Sequence, residues 1–384
     1  MANGDLSLND GGQRTGDGSA GEAKILSLFK AVIKLDGSDL HLKSGSKPRV
    51  RIGGIIKMIN SEPISNEQLL EMAFAIMAPS HKEQFSREGS ADFAYDVKGE
   101  DRFRVNVFQQ RGLTSLAARR VTRKIPTPEQ LHLPPHLMKL SEIRQGLVLL
   151  SGITGSGKST TIAAMIEHIN MTRSCHIVTV EDPIEYLFED KKAFINQREI
   201  GIDVLNFHDA LKYLMREDPD IVLIGEMRDR ETFGAALQAA ETGHLVFGTI
   251  HGSTTAQTIT RLMDLFSAEE RNLVRQSLVF NLRAIITQKL LPSILEGVAR
   301  VPSVEIMISN PMIKKLIEEA RETEINSVLK GCYSEGMQDF TESLRQLVEK
   351  EWIEVELAYE VAPNPEELKM RLRGIASSKT GILG

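Results

Sequence analysis

A chain of 384 residues, 41% hydrophobic and with a net charge of −6, is long enough for two domains with ordinary cores. It has no run of about 18 apolar residues, which excludes a membrane-spanning helix, and its two cysteines, Cys175 and Cys332, are too far apart in sequence for a disulfide framework or a CxxC zinc site. The acidic balance argues against a dedicated nucleic-acid binder, and Met1-Ala-Asn-Gly-Asp5 has neither the basic nor the apolar part of a secretory signal, so the expected address is the cytoplasm.

Residues 1–21 are mostly Gly, Asp, Asn, Ser and Thr and are expected to be a disordered tail, because they bury too little apolar surface to offset ordering entropy. Ile25, Leu28, Phe29, Val32 and Ile33 then mark an amphipathic helix. Short β-like runs follow at Ser38-Asp-Leu-His-Leu42, Arg49–Ile52 and Ile55–Met58, with Gly53-Gly54 predicting a hairpin between the last two. Ser65-x-x-Gln68 is a capping box, and Phe93, Tyr95, Val97 and Phe103, Val105, Val107 alternate as half-buried strands do. Residues 22–121 therefore read as a small α+β domain.

Prolines punctuate 122–142, the expected linker. From 143 to 384 the pattern becomes apolar strands alternating with helices. Leu147–Leu150, Ile177–Val180, Ile221–Ile224 and Leu245–Ile250 are continuously apolar, as parallel strands covered on both faces must be. Ser267-x-x-Glu270 is expected to cap a long helix reaching about Ile286. From about residue 309 the chain reads as mainly helical, with Asn310-Pro311 and Asn364-Pro365 opening helices.

The chemistry is declared by Ser151-Gly-Ile-Thr-Gly-Ser-Gly-Lys-Ser-Thr160. Gly152, Gly157, Lys158 and Ser159 satisfy the P-loop pattern, and Gly155 adds a third glycine. Such a loop turns backbone N–H groups onto a triphosphate, lets the lysine reach the β- and γ-phosphates, and offers a serine hydroxyl to Mg²⁺. Thr154, Ser156 and Thr160 complete the expected nucleotide cradle. A strand before it and a helical stripe of Ile162, Met165, Ile166 and Ile169 after it aim a helix N-terminus at the phosphates.

A P-loop also needs acids and a charge-neutralising group. Glu181, Asp182 and Glu185 follow one apolar strand, and Glu226 ends another as a Walker B acid does. His244 and His251 stand at opposite ends of the strand between them; His251 is at the end that can face nucleotide, whereas His244 reads as a structural hydrogen-bonder. Arg111, Arg119, Arg120 and Arg198 are arginines whose interest depends on oligomerisation, since an arginine supplied by a second subunit can speed phosphoryl transfer by ~10³–10⁵.

Together these segments resemble the PilT-like twitching-motility ATPases of the secretion-ATPase superfamily. The resemblance rests on Ser38-Asp-Leu-His-Leu42, Arg102-Phe-Arg-Val-Asn106, the P-loop, Glu181-Asp-Pro-Ile-Glu185, Asn196-Gln-Arg-Glu199, Arg216–Asp220, Gly225-Glu-Met-Arg-Asp229, Ala240–His244 and Gly336-Met-Gln338. It implies a PAS-like N-terminal domain, a RecA-like P-loop ATPase core and a helical C-terminal region, assembled as a homohexamer. It further implies Glu185 as general base, Glu226 as the Walker B acid, His244 and His251 as a His box at the nucleotide, and Arg111, one of Arg119 or Arg120, and Arg198 as arginines converging on the phosphates. The implied cofactors are ATP and Mg²⁺. The implied partner is an inner-membrane pilus platform protein, through which the ring sits at the cytoplasmic face and powers pilus retraction. Alternatives are an auxiliary or paralogous pilus ATPase and a nucleotide-switch adaptor that hydrolyses little. The chain departs from the family pattern at Gly252, where Thr or Asn is usual.

Overall fold

The computed structural model describes residues 20–374 together with the backbone of Leu6–Ser7. The tail expected over residues 1–21 lies almost wholly outside the described residues. Helix begins within its last two positions, at Ala20. The chain divides into two compact units, one running to Lys124 and including Glu185–Leu187, the other taking the remainder from Ile125.

The first unit is a sheet covered by helices. Its strands run in the order Leu6–Ser7, Ile55–Asn60, Arg49–Ile52, Asp39–Lys43, Leu113–Val121, Arg102–Gln110 and Ser90–Asp96, antiparallel except for the first pair. Gly53 and Gly54 both take positive φ, which is what the tight turn between Ile52 and Ile55 requires. Helix Ala20–Lys34 buries Ile25, Leu28, Phe29 and Val32, with Phe29 stacked on Phe103 at 4.3 Å between centroids. Helix Asn66–Ile76 starts at the expected capping box, Ser65 and Gln68 each satisfying the other's backbone.

The second unit is a seven-stranded sheet in the order Phe194–Glu199, His176–Glu181, Ile221–Ile224, Leu245–Ile250, Gly146–Ser151, Leu282–Pro292 and Arg300–Ile308. All neighbours are parallel except the last pair. Residues expected as linker are part of this body, since Leu133, Leu137 and Leu140 pack into one core with Val148, Leu150, Ile162 and Ile166. The helix expected to run to Ile286 ends at Asn281, and Leu282–Pro292 is instead a strand beside the P-loop strand. The physical reason is burial on both faces, which makes the run Ala284-Ile-Ile286 continuously apolar and hides its period. Asn310 and Asn364 cap the helices Pro311–Glu318 and Pro365–Leu372 as their Asn-Pro pairs predict. Among the described residues no helix is long and apolar enough to cross a membrane.

Candidate functional site

Strand Gly146–Ser151 is buried throughout and delivers the loop Gly152–Gly157 to helix Lys158–Thr172. Gly152, Gly155 and Gly157 have φ of 151°, 77° and 86°, a path that side chains with a Cβ rarely follow. Space is a second constraint: a Cβ on Gly152 would stand 2.5 Å from the Gln288 carbonyl oxygen, and one on Gly157 2.7 Å from Gln288 Nε2. Lys158 Nζ donates to the carbonyls of Gly152 (2.8 Å) and Ile153 (3.1 Å). Thr154 and Gly155 are exposed at the rim, Ser156 is buried, and Ser159 and Thr160 are half-buried in the first helical turn.

Glu226 follows strand Ile221–Ile224, whose outgoing turn is fixed by Gly225 N–H donating to the Val180 carbonyl and by Thr249 Oγ1 donating to the Gly225 carbonyl. Its carboxylate meets Arg228 Nη2 at 2.6 Å and His251 Nε2 at 2.8 Å. The hydrogen bond from Arg228, with further help from His251, holds its pKa below the ordinary value despite partial burial. His251 Nδ1 lies 3.3 Å from the Gly152 carbonyl, so one imidazole joins the Walker B acid to the P-loop.

The other residues singled out by sequence are less tightly gathered. His244 begins strand Leu245–Ile250, and Leu245 pairs with Gly146 whereas Ile250 pairs with Ser151, so it lies roughly 17 Å along the strand from the loop end. There its Nδ1 faces Ala239 O and Thr242 Oγ1, and its carbonyl accepts from Gly146 N. Within one chain His244 therefore does not join the cradle, and the structural-hydrogen-bond alternative describes it. Arg198 lies in edge strand Phe194–Glu199, four strands or roughly 19 Å from the P-loop strand, and pairs with Glu217. Glu185 is exposed beyond strand His176–Glu181 and belongs to the first unit, where the next residue, Tyr186, bridges Thr122.

In that unit Arg111 sits at positive φ (53°) in the turn joining strands Arg102–Gln110 and Leu113–Val121. Arg119 and Arg120 are consecutive in a strand and so point to opposite faces. Arg120, its side chain 13% exposed, is committed to Asp101 and Asp36. Arg119 is 73% exposed, with Nε 2.9 Å from Asp39. A phosphate-facing role would require Arg120 to break two ion pairs and Arg119 to break the one to Asp39.

Sequence reasoning missed Gln288, which touches the loop, and Arg228, which touches the acid. Both carry a signal in retrospect. Thr287-Gln288 interrupts an otherwise apolar strand, and Arg228 lies two residues beyond the Walker B position.

Magnesium suits what is present. Ser159 and Glu226 supply hard oxygen donors. That is the expectation for an ion held by one or two protein oxygens and by substrate phosphates.

The Type II/IV secretion system protein family matches residues 115–368. The chain is 43% identical over 342 residues to the type IV pilus retraction ATPase PilT of Pseudomonas aeruginosa, covering 89% of this chain and 99% of the relative. It is 35% identical to the type IV pilus ATPase PilU of the same organism, covering 90% of each. A crystal structure of the pilus retraction motor PilT with bound ADP superposes with a TM-score of 0.83 at 43% identity, covering 90% of this chain and 98% of that one. The parallel-sheet unit is thus a RecA-like P-loop core, the protein is a nucleotide-binding ATPase, and the chain belongs to the PilT-like ATPases of the type II/IV secretion protein family.

Proposed function

We propose that this ATPase works as a Mg²⁺-dependent homohexameric motor that retracts type IV pili, held at the cytoplasmic face of the inner membrane by a pilus platform protein. The observation that carries the reading is the joined cluster of P-loop, Glu226 and His251 in a chain that spans 99% of a retraction ATPase. The P-loop amides and Lys158 bind the triphosphate, the lysine exchanging the Gly152 and Ile153 carbonyls for β- and γ-phosphate oxygens. Ser159 and Glu226 would hold Mg²⁺, which supplies charge neutralisation at those oxygens. Glu185, exposed and acidic, orients the attacking water and takes its proton on a carboxylate oxygen. His251 keeps Glu226 in register with the loop, and Arg119 of a neighbouring subunit meets the charge that develops on the transferred phosphoryl group.

The PilU relative supports a second reading, an auxiliary motor that needs a partner ATPase. Complementation separates the two. In a piliated strain lacking its retraction ATPases, this chain alone restores twitching and Glu185→Gln does not. If twitching returns only when a second ATPase is co-expressed, the auxiliary reading holds. A purified chain that stays monomeric with ATP and releases no phosphate would overturn both.

A further inference from the structure

Besides His251, a buried amide from another strand holds the P-loop from outside its own strand and helix. Gln288 lies in strand Leu282–Pro292, which pairs alongside the P-loop strand with Thr287 opposite Ser151. Gln288 is 2% exposed. Nε2 donates to the Ser156 carbonyl at 2.8 Å, and Oε1 accepts from Thr161 Oγ1 at 2.8 Å. The amide has one sensible orientation, because a carbonyl can only accept and so must face the NH₂ end.

We infer that Gln288 is a positioning residue for nucleotide binding, which aims the Gly157 N–H into the phosphate cradle by fixing the peptide between Ser156 and Gly157. A trans peptide is planar, so its C=O and N–H point in opposite directions. Holding the Ser156 oxygen toward Gln288 therefore turns the Gly157 N–H away from it. Gly157 itself cannot enforce this, since at φ 86° without a Cβ its neighbouring peptide rotates at little steric cost. Three other loop carbonyls are also occupied: Gly152 by Lys158 and His251, Ile153 by Lys158 and Ser156 N–H, Gly157 by Thr161 N–H. Gln288 and His251 are the members of this set contributed from other strands, and Gln288 is the one that holds the Ser156 carbonyl. Thr161, buried in the second turn of the P-loop helix, fixes the amide from the other side. The inference rests on nucleotide binding in the cradle and not on the ring or on pilus retraction.

The test is ADP binding to the purified full chain by calorimetry, together with the ATP dependence of turnover. Gln288→Glu keeps the shape but sets a second acceptor against the Ser156 carbonyl. It is expected to weaken ADP binding and raise KM for ATP by about tenfold, the loss of one oriented hydrogen bond, with kcat at saturation within about threefold. Thr161→Val removes only the hydroxyl that orients the amide and is expected to weaken ADP binding by a smaller factor in the same direction. A folded Gln288→Glu protein with wild-type ADP affinity overturns the inference, as does a fall in kcat with KM unchanged. If Gln288→Glu does not fold, Thr161→Val carries the test, and wild-type affinity there overturns it. ADP binding requires neither hydrolysis nor a pilus, so failure of the motor reading would leave this result intact.

Discussion

His251 Nε2 stands 2.8 Å from Glu226 Oε1 while the other nitrogen of the same ring faces the Gly152 carbonyl at 3.3 Å. Strand Leu245–Ile250 lies between the Walker B strand and the P-loop strand, so a residue just past its end is placed to touch both. Replacing His251 by Ala is expected to leave ADP affinity within about threefold and to lower kcat by about 10²-fold, the scale for losing one positioned group in an electrostatic site. Glu226→Gln is expected to lower kcat at least as far. Phosphate-release kinetics beside nucleotide titration check both; equal losses in binding and turnover for His251→Ala would mean that the ring merely holds the loop together.

Arg119 and Arg120 separate stability from activity. Removing Arg120 takes its guanidinium partner from the buried Asp101 carboxylate, so Arg120→Ala is expected to lower unfolding free energy by about 2–4 kcal/mol. Arg119→Ala removes a largely exposed side chain and is expected to cost under about 1 kcal/mol. Its effect falls on turnover, about 10³-fold if the guanidinium meets the phosphoryl group of a neighbouring subunit. Urea denaturation and steady-state hydrolysis on both variants settle the assignment, and Arg119→Ala with full turnover would remove it from the mechanism.

That assignment shows where sequence stops. The residue types of the P-loop, the Walker B position and the His251 end of its strand were legible because each is fixed by a few neighbouring positions. Which of two adjacent arginines is spent on structure depends on strand register, and Asp36, Asp39 and Asp101 come from other parts of the chain. Gln288 was invisible for a related reason: its strand reads as the tail of a helix, and its contact with Ser156 spans 132 positions. His244, which the resemblance places at the nucleotide, lies within one chain at the amino end of its strand, a position already legible from where it precedes the run Leu245–Ile250.

Glu305 predicts a pH dependence. It lies in strand Arg300–Ile308 and accepts from Thr255 N–H at 2.6 Å and Thr255 Oγ1 at 2.9 Å. Burial pushes its pKa above the ordinary 4.5, with Asp339 adding to the rise and the Thr255 donors and Lys289 opposing it. The folded protein therefore holds this proton to higher pH than the unfolded chain does. The associated stability is fully present below about pH 4.5 and is lost as pH climbs through the folded pKa. Glu305→Gln keeps an oxygen facing Thr255 and removes the titration. Relative to wild type it is expected to gain about 1.4 kcal/mol for each pH unit of that window and to level off beyond it. Urea melts from pH 4 to 8 measure the difference, and parallel profiles would refute the prediction.

At Gly252 the family resemblance leads to an expectation of Thr or Asn, and packing favours glycine instead. A Cβ at this position would stand 2.5 Å from both Ser151 Oγ and Thr258 Oγ1, hydroxyls that are themselves hydrogen-bonded at 2.8 Å. Gly252→Thr is thus expected to destabilise this protein by about 1–3 kcal/mol, because it forces apart a buried pair that ties helix Thr255–Asp264 to the end of the P-loop strand. Since His251 precedes it, the same displacement is expected to lower kcat more than ADP affinity. Pairing Gly252→Thr with Thr258→Ala, which removes one of the two clashing hydroxyls, is expected to recover about half of the lost stability. Thermal unfolding of the single and double variants checks this, and a single variant as stable as wild type would show that the loop has room the two hydroxyls do not suggest.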